Sequence, residues 1–334
     1  MKKLFNPFLR FYYKSFKFAK DMIWPDYRQV DLEVNGINIH LGEWPASGET
    51  VFCVHGITAN HKTFQIIANC LHENKMHVYA LDLRGRGRSE RPYGPYGIET
   101  HVKDIIAIIE KLKLKNVILI GHSLGCFISI HTVASHPEYF KGLVLLDGGG
   151  ILNVWQKLRA LSAIRPSLSR LGQKFSSKED YFESIRSVGF LKSWSPVMED
   201  FFVYELDEAK GGKVRNNIRP ENIESELNSM AGSLKPSSIL KKLFQDPRNF
   251  FRKIKEMNKI PYEKIKCPVL ILRAGKFNLT KGDDVLPLSS LQNMLKKMRK
   301  AEAYTIDECN HFEIILSENK TRDEKILEFV RALR

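Results

Sequence analysis

Cysteine is scarce in this chain of 334 residues. There are five, Cys53, Cys70, Cys126, Cys267 and Cys309, with no C-x-x-C pair among them. An odd number set mostly in apolar runs argues against a disulfide scaffold or a thiolate zinc site and reads as buried thiols in a reducing compartment. No apolar run reaches the ~18 residues of a membrane span. HExxH, a P-loop, internal repeats and low-complexity tracts are missing too, so no metal and no organic cofactor is expected. Acidic residues are the minority, 38 against 52 Lys and Arg, for a formal net charge of +14. The basic excess is spread along the chain, with local concentrations in residues 1–28, in the middle region and in Lys296–Lys300. It is not interleaved with aromatics in one groove-sized patch, so no nucleic-acid partner is expected. A solvated basic surface, or attraction to anionic membranes or substrates, remains.

What is present centres on Val117-Ile118-Leu119-Ile120-Gly121-His122-Ser123-Leu124-Gly125. The aliphatic run is short enough for a fully buried strand, and Cys126 to Ser135 reads as a helix that follows without a linker. G-x-S-x-G between strand and helix is the setting of a nucleophile elbow, in which a tight, strained turn lifts the serine hydroxyl clear of the sheet. In the plainer reading Ser123 is only a helix N-cap.

Around this centre strands and helices alternate. Val30–Val34 and Ile37–Glu43 form a hairpin about Asn35-Gly36. Strands Thr50–Val54 and His77–Asp82 follow, then a glycine-rich basic turn, Leu83-Arg84-Gly85-Arg86-Gly87-Arg88-Ser89, which fits no phosphate fingerprint and reads as a tight surface turn. Helix Ile98–Leu112, strand Leu143–Leu146, strands Cys267–Ala274 and Ala303–Ile306 and a last helix at Arg322–Leu333 complete the pattern of a mostly parallel sheet covered on both faces. From about Ile151 to Tyr262 the alternation stops. That stretch reads as several helices rich in aromatics (Phe182, Trp194, Phe201, Phe202, Phe244, Phe250, Phe251), an inserted helical cap. At the start, Asn6 and Pro7 open a helix to Lys20 whose Phe, Tyr and Leu residues gather on one half of the wheel and whose Arg and Lys gather on the other.

With HG at 55–56, DLRGRGRS at 82–89, GHSLG at 121–125 and His311 after the last strand, the sequence resembles the α/β-hydrolase superfamily over most of 30–150 and 263–334. The resemblance implies an α/β-hydrolase fold with Ser123 as nucleophile and His311 as base. The backbone N–H groups of Ile57 and Leu124 become the oxyanion donors. The third member is less direct. Relatives usually carry an aspartate after the strand equivalent to Cys267–Ala274, where this chain has Asn278, which is expected to matter little. Asp147, at the tip of the strand before the cap, is one candidate, as in some branches of the superfamily; Asp283 and Asp284 are the others.

The expected organisation is therefore a basic amphipathic helix in 1–28, a core in 29–150 and 263–334 and a cap in 151–262. Serine rather than aspartate at the elbow argues against dehalogenase and epoxide-hydrolase chemistry. A serine hydrolase of carboxylic esters acting through an acyl-enzyme fits best, with an apolar or lipid-like small-molecule ester as substrate. A thioesterase, a C–C bond hydrolase and a non-enzymatic ligand-binding protein of the same fold are the alternatives. The location expected is cytoplasmic, and residues 1–28 fit either peripheral attachment to an anionic membrane or a helix packed on its own domain or on a partner subunit.

Overall fold

Two residues set the first hairpin. Asn35 and Gly36 both take positive φ, 50° and 73°, and such turns match the twist of the strands they join. Those strands are β1 (Arg28–Val34) and β2 (Ile37–Trp44), paired antiparallel from Arg28↔Glu43 to Val34↔Ile37. The computed structural model describes residues 27–333 apart from 154, 157–158, 160–166, 192–193, 232–258 and 281. The amphipathic stretch Pro7–Lys20 and the cap aromatics Phe244, Phe250 and Phe251 lie outside the described residues.

The core continues with β3 (Thr50–Val54), α1 (Gln65–Glu73), β4 (His77–Leu81), α2 (Ile98–Lys111), β5 (Val117–His122), α3 (Leu124–Ser135) and β6 (Phe140–Leu146). The chain then leaves the sheet through β7 (Lys174–Phe175), α4 (Lys178–Arg186), α5 (Pro196–Tyr204), β8 (Leu206–Ala209), β9 (Lys213–Asn216) and α6 (Pro220–Ala231). It returns as β10 (Val269–Ala274), α7 (Leu288–Lys297), β11 (Ala301–Ile306), α8 (Glu313–Leu316) and α9 (Lys320–Ala332). The eight-stranded sheet has the order β1-β2-β4-β3-β5-β6-β10-β11; β1–β2 and β2–β4 are antiparallel and the remaining pairs parallel.

Strand β5 shows why both faces of the sheet must be covered. Ile118 and Ile120 pack with Ile67 and Leu71 of α1 and Phe329 and Val330 of α9. Val117 and Leu119, one residue out of phase, pack with Ile105 and Ile109 of α2 and Ile128 of α3. Side chains of a strand alternate between faces, so a continuous aliphatic run feeds two apolar layers at once. Truncating Leu119 to alanine should cost about 2–5 kcal/mol.

The inserted stretch differs from the helices expected of it. Its described part includes a three-stranded antiparallel sheet, β7-β9-β8, with Gly211 and Gly212 at positive φ between β8 and β9. These strands are two to four residues long and half exposed, with no apolar alternation to announce them. The turn after β4 differs as well. Apart from Arg88 it is buried: Arg84 forms a two-bond pair with Asp104 (2.6 and 2.7 Å) and Arg86 pairs with Glu226 (3.0 Å). Charge that reads as solvated has partners far along the chain. No described helix is long and apolar enough to cross a membrane.

Candidate active site

Strand β5 runs straight into α3, and Ser123 stands between them with φ 56° and ψ −117°. The turn exists because its flanking residues have no side chain. A Cβ on Gly121 would lie 2.4 Å from the Gly125 carbonyl oxygen, and one on Gly125 would lie 2.0 Å from that of Val54. Only glycine lets strand and helix approach so closely. Beneath the serine, the Cys126 thiol donates to the carbonyl of Gly121 (3.1 Å), and burial raises its pKa well above the usual thiol range. It is a structural thiol, not a nucleophile.

Asp147 directly follows β6 with a positive φ of 46°. Its N–H donates to the carbonyl of Leu272 (2.8 Å), and its carboxylate is shared between the N–H of Ala274 on Oδ1 (3.0 Å) and His311 Nδ1 on Oδ2 (2.8 Å). Both side chains of the pair are almost wholly buried, 3% and 4% exposed. With the proton held on Nδ1, Nε2 is the basic nitrogen of His311. Ser123 and His311 line the same cleft.

The other acidic candidates are engaged elsewhere. Asp283 accepts the backbone N–H groups of Asn278, Leu279 and Thr280 at 2.7–2.9 Å, and Asp284 accepts Arg273 Nη2 at 3.1 Å. The loop so tied presents Asn278, whose Oδ1 accepts the backbone N–H of His311 at 3.1 Å. Asn278 thus braces the histidine's main chain. The signal in the sequence was its position; its role required the loop's hydrogen bonds.

On the facing loop, Ile57 lines the cleft. His55 controls that loop: its Nε2 accepts the N–H of Leu83 (3.0 Å), so its Nδ1–H is donated to the Gly56 carbonyl at 2.7 Å. The Gly56 carbonyl and the Ile57 N–H belong to one peptide plane, so this bond also orients the N–H. Burial lowers the pKa of His55 to about 3, which keeps that hydrogen-bond pattern fixed. Leu124, at the start of α3, is buried.

The rest of the cleft is mostly apolar: Phe190, Phe201, Phe202, Phe312, Ile315 and Leu316, joined by Thr58, Thr63, Ser167 and Arg170. Arg170 is a brace and not a receptor. Nε donates to Glu205 Oε1 (3.0 Å), Nη1 to the carbonyl and hydroxyl of Ser167 (2.7 Å each), and Nη2 to Glu205 Oε2 (3.1 Å) and the Thr58 carbonyl (3.4 Å). All five N–H groups are used. Sequence reasoning missed Arg170 and its partners because Thr58 and Ser167 are separated by 109 residues and Arg170 and Glu205 by 35.

One cluster could be mistaken for a metal site. His40, His61 and Asp82 place ligand atoms within 4.8 Å of one another. The lone pairs of Asp82 and His61 are already committed, however. Asp82 Oδ1 accepts the N–H (2.7 Å) and Nδ1–H (3.0 Å) of His61, and Oδ2 accepts Arg88 N–H (2.9 Å) and the Tyr204 hydroxyl (2.8 Å). The Tyr27 hydroxyl is 2.7 Å from His61 Nε2. Asp82 and His61 are thereby spent on joining Tyr27, the turn after β4 and α5, and of the three only His40 keeps a ring nitrogen, Nε2, without a partner among the described residues.

Residues 49–317 match a family model described as alpha/beta hydrolase fold. Among curated relatives, the AB hydrolase superfamily protein YisY of Bacillus subtilis is 29% identical over 199 residues, 54% of this chain and 69% of that protein. A 2-(acetamidomethylene)succinate hydrolase of Mesorhizobium japonicum is 30% identical over 154 residues, 46% of this chain and little more than half of that protein, 54%. Among solved structures, E-2-(acetamidomethylene)succinate hydrolase superposes with a TM-score of 0.70 at 18% identity, covering 91% of this chain and 99% of that one. A membrane phospholipase A superposes with a TM-score of 0.65 at 19% identity, covering 96% of this chain and 92% of that one. At these identities the superpositions speak for the fold.

Proposed function

Since the chain belongs to the α/β-hydrolase fold family, we propose that it is a serine hydrolase that cleaves a carboxylic ester with an apolar acyl group, through an acyl-enzyme. The observation that carries the reading is the buried His311–Asp147 pair, 2.8 Å apart, in the same cleft as a serine held at φ 56° on its elbow. In this reading His311 Nε2 takes the Ser123 proton as Oγ attacks the ester carbonyl. Asp147 keeps the other imidazole proton on Nδ1 and offsets the charge of the imidazolium. The N–H groups of Ile57 and Leu124 receive the oxyanion. His311 then protonates the departing alcohol, and the same nitrogen later draws a proton from the water that releases the acid.

The cleft favours an apolar acyl group over an acidic one. Four phenylalanines, Ile315 and Leu316 line it, and Arg170 has no N–H left for a substrate carboxylate. This separates the chain from a relative whose name describes a succinate derivative. The stretch after β6 serves as the cap over the cleft, since α5 supplies Phe201 and Phe202. The basic amphipathic sequence of residues 1–28 supports peripheral attachment to an anionic membrane, where lipid-like esters are found.

The test is a panel of p-nitrophenyl esters and thioesters from two to twelve carbons, with the p-nitrophenyl half-ester of succinate, assayed with the wild type and Ser123→Ala. The expected result is a preference for medium or longer acyl chains over dicarboxylate half-esters, abolished in Ser123→Ala. Equal rates in both proteins, or turnover of thioesters only, would contradict the ester reading.

A further inference from the structure

Ile57 lies between two peptide planes, and different parts of the molecule hold them. His55 fixes the plane before it. The plane after it carries the Ile57 carbonyl, which accepts a hydrogen bond from Arg86 Nε at 3.1 Å. Arg86 is fully buried in the turn after β4; its Nη1 donates to the Arg84 carbonyl (3.0 Å) and its Nη2 to Glu226 Oε2 (3.0 Å). Glu226 is on α6, in the inserted segment, and is equally buried. Its Oε2 also faces His101 Nε2 of α2 at 2.8 Å. One residue along, the Thr58 hydroxyl is 2.5 Å from that of Ser167, and the Thr58 carbonyl lies 3.4 Å from Arg170 Nη2. Both carbonyls of this short loop are therefore tied to the inserted segment by buried guanidinium groups.

We propose that Arg86 and Glu226 are positioning residues that couple docking of the inserted segment to the geometry of the oxyanion loop, so that the Ile57 N–H is aimed when α6 is seated. The inference rests on the reading of Ser123 as nucleophile and Ile57 as oxyanion donor. Three observations support it. A buried ion pair is a poor device for stability, because desolvation offsets most of the attraction, so its geometry is the better reason for it. The seat of α6 is tight: Gly85, at φ +77°, would carry a Cβ 2.9 Å from Asn222 Nδ2 of that helix. Although burial opposes ionisation, His101 and Arg86 lower the pKa of Glu226 to about 2, so the link stays charged at working pH. An oxyanion donor acts only when it lies within about 2.7–3.1 Å of the developing oxygen, so a small shift of the loop costs rate and leaves ground-state binding nearly intact.

The test uses the full chain with Arg86→Lys and Glu226→Gln. Glu226→Gln keeps the side chain's size and its capacity to accept hydrogen bonds, and it carries the test alone if Arg86→Lys does not fold. Hydrolysis of p-nitrophenyl butyrate should lose about 10- to 100-fold in kcat with KM changed by less than about threefold. Inhibition by a trifluoromethyl ketone bearing the same acyl chain, whose serine adduct carries the oxyanion, should weaken by the same factor as kcat/KM. An unchanged kcat, or a lower kcat with undiminished affinity for the ketone, overturns the inference. If Ser123→Ala hydrolyses the ester as well as the wild type, the hydrolase reading falls and the inference with it. If Ser123→Ala is inactive while Arg86→Lys and Glu226→Gln match the wild type, the inference alone falls.

Discussion

His122 stacks on His311, with ring centroids 4.6 Å apart and planes 27° from parallel, and its Nε2–H is donated to the backbone carbonyl of His311 at 3.0 Å. The residue before the elbow serine therefore holds both the ring and the main chain of the proposed base. Burial, and then the nearby charge of His311, lower the pKa of His122 well below that of a free imidazole. The stack consequently sets a neutral His122 ring against the proposed base. His122→Phe keeps a ring and removes the hydrogen bond. It should lower kcat about tenfold at nearly constant KM, and wild-type kinetics in this variant would show that the stack and its hydrogen bond do not position the base.

Asp147→Asn should lower kcat by about two to four orders of magnitude with the fold intact, because an amide cannot stabilise the imidazolium. Asp284→Asn should act on stability alone, since its carboxylate is used by Arg273. Steady-state kinetics with circular dichroism of each variant separates the cases. The assignment is wrong if Asp284→Asn is the inactive one.

Asn278→Ala removes the acceptor of the His311 backbone N–H. It should lower kcat about tenfold at nearly constant KM, as expected when a base is displaced without leaving the site. Asn278→Asp keeps the acceptor and should retain most of the activity. Wild-type kinetics in Asn278→Ala would show that Asp147 and the stack suffice to hold the base.

Stability should fall as the solution becomes acidic, starting below about pH 6.5. His55, His61 and His122 all have pKa values lowered by burial, His55 to about 3. The unfolded chain then binds more protons than the folded one between about pH 6.5 and 3, so their contribution is complete above 6.5 and lost on acidification. Glu226, lowered to about 2, adds its own loss only below about pH 4.5. Thermal unfolding measured from pH 7 to 4 should therefore show a falling Tm before the carboxylates titrate, and His55→Gln should flatten that slope. A Tm that is level from pH 7 to 5 would contradict the neutral, buried imidazoles.

The parts of this picture legible in the sequence are those written in neighbouring residues. Asn35-Gly36 announced the hairpin, the Val117–Ile120 run the central strand, and Gly121 and Gly125 the elbow, each through local backbone chemistry. Asp147 could be named as a candidate because it stands at the tip of the strand before the inserted stretch, where some branches of the superfamily keep their acid. Arg86 and Arg170 could not be read. A guanidinium in a sequence looks solvated until its carboxylate is known, and Glu226 lies 140 residues from Arg86. The brace by Asn278 was hidden for a related reason, since it uses a side-chain oxygen on a backbone N–H 33 residues away.

A protein lacking residues 1–26, which keeps Tyr27 on His61 and Arg28 in β1, should keep its turnover of a soluble short-chain ester and lose salt-sensitive sedimentation with phosphatidylserine vesicles. Each Lys or Arg near such a surface contributes about 1 kcal/mol, a term that salt screens. Undiminished vesicle binding by the shortened protein would remove the proposed membrane role of that stretch.

The most direct measurement on the proposed triad is covalent labelling with a fluorophosphonate, followed by peptide mass mapping of the wild type, Ser123→Ala and Asp147→Asn. The expected result is one adduct, on Ser123, formed at least about a hundredfold more slowly in Asp147→Asn and absent from Ser123→Ala. An adduct on another residue, or labelling of Ser123→Ala at the wild-type rate, would contradict the account.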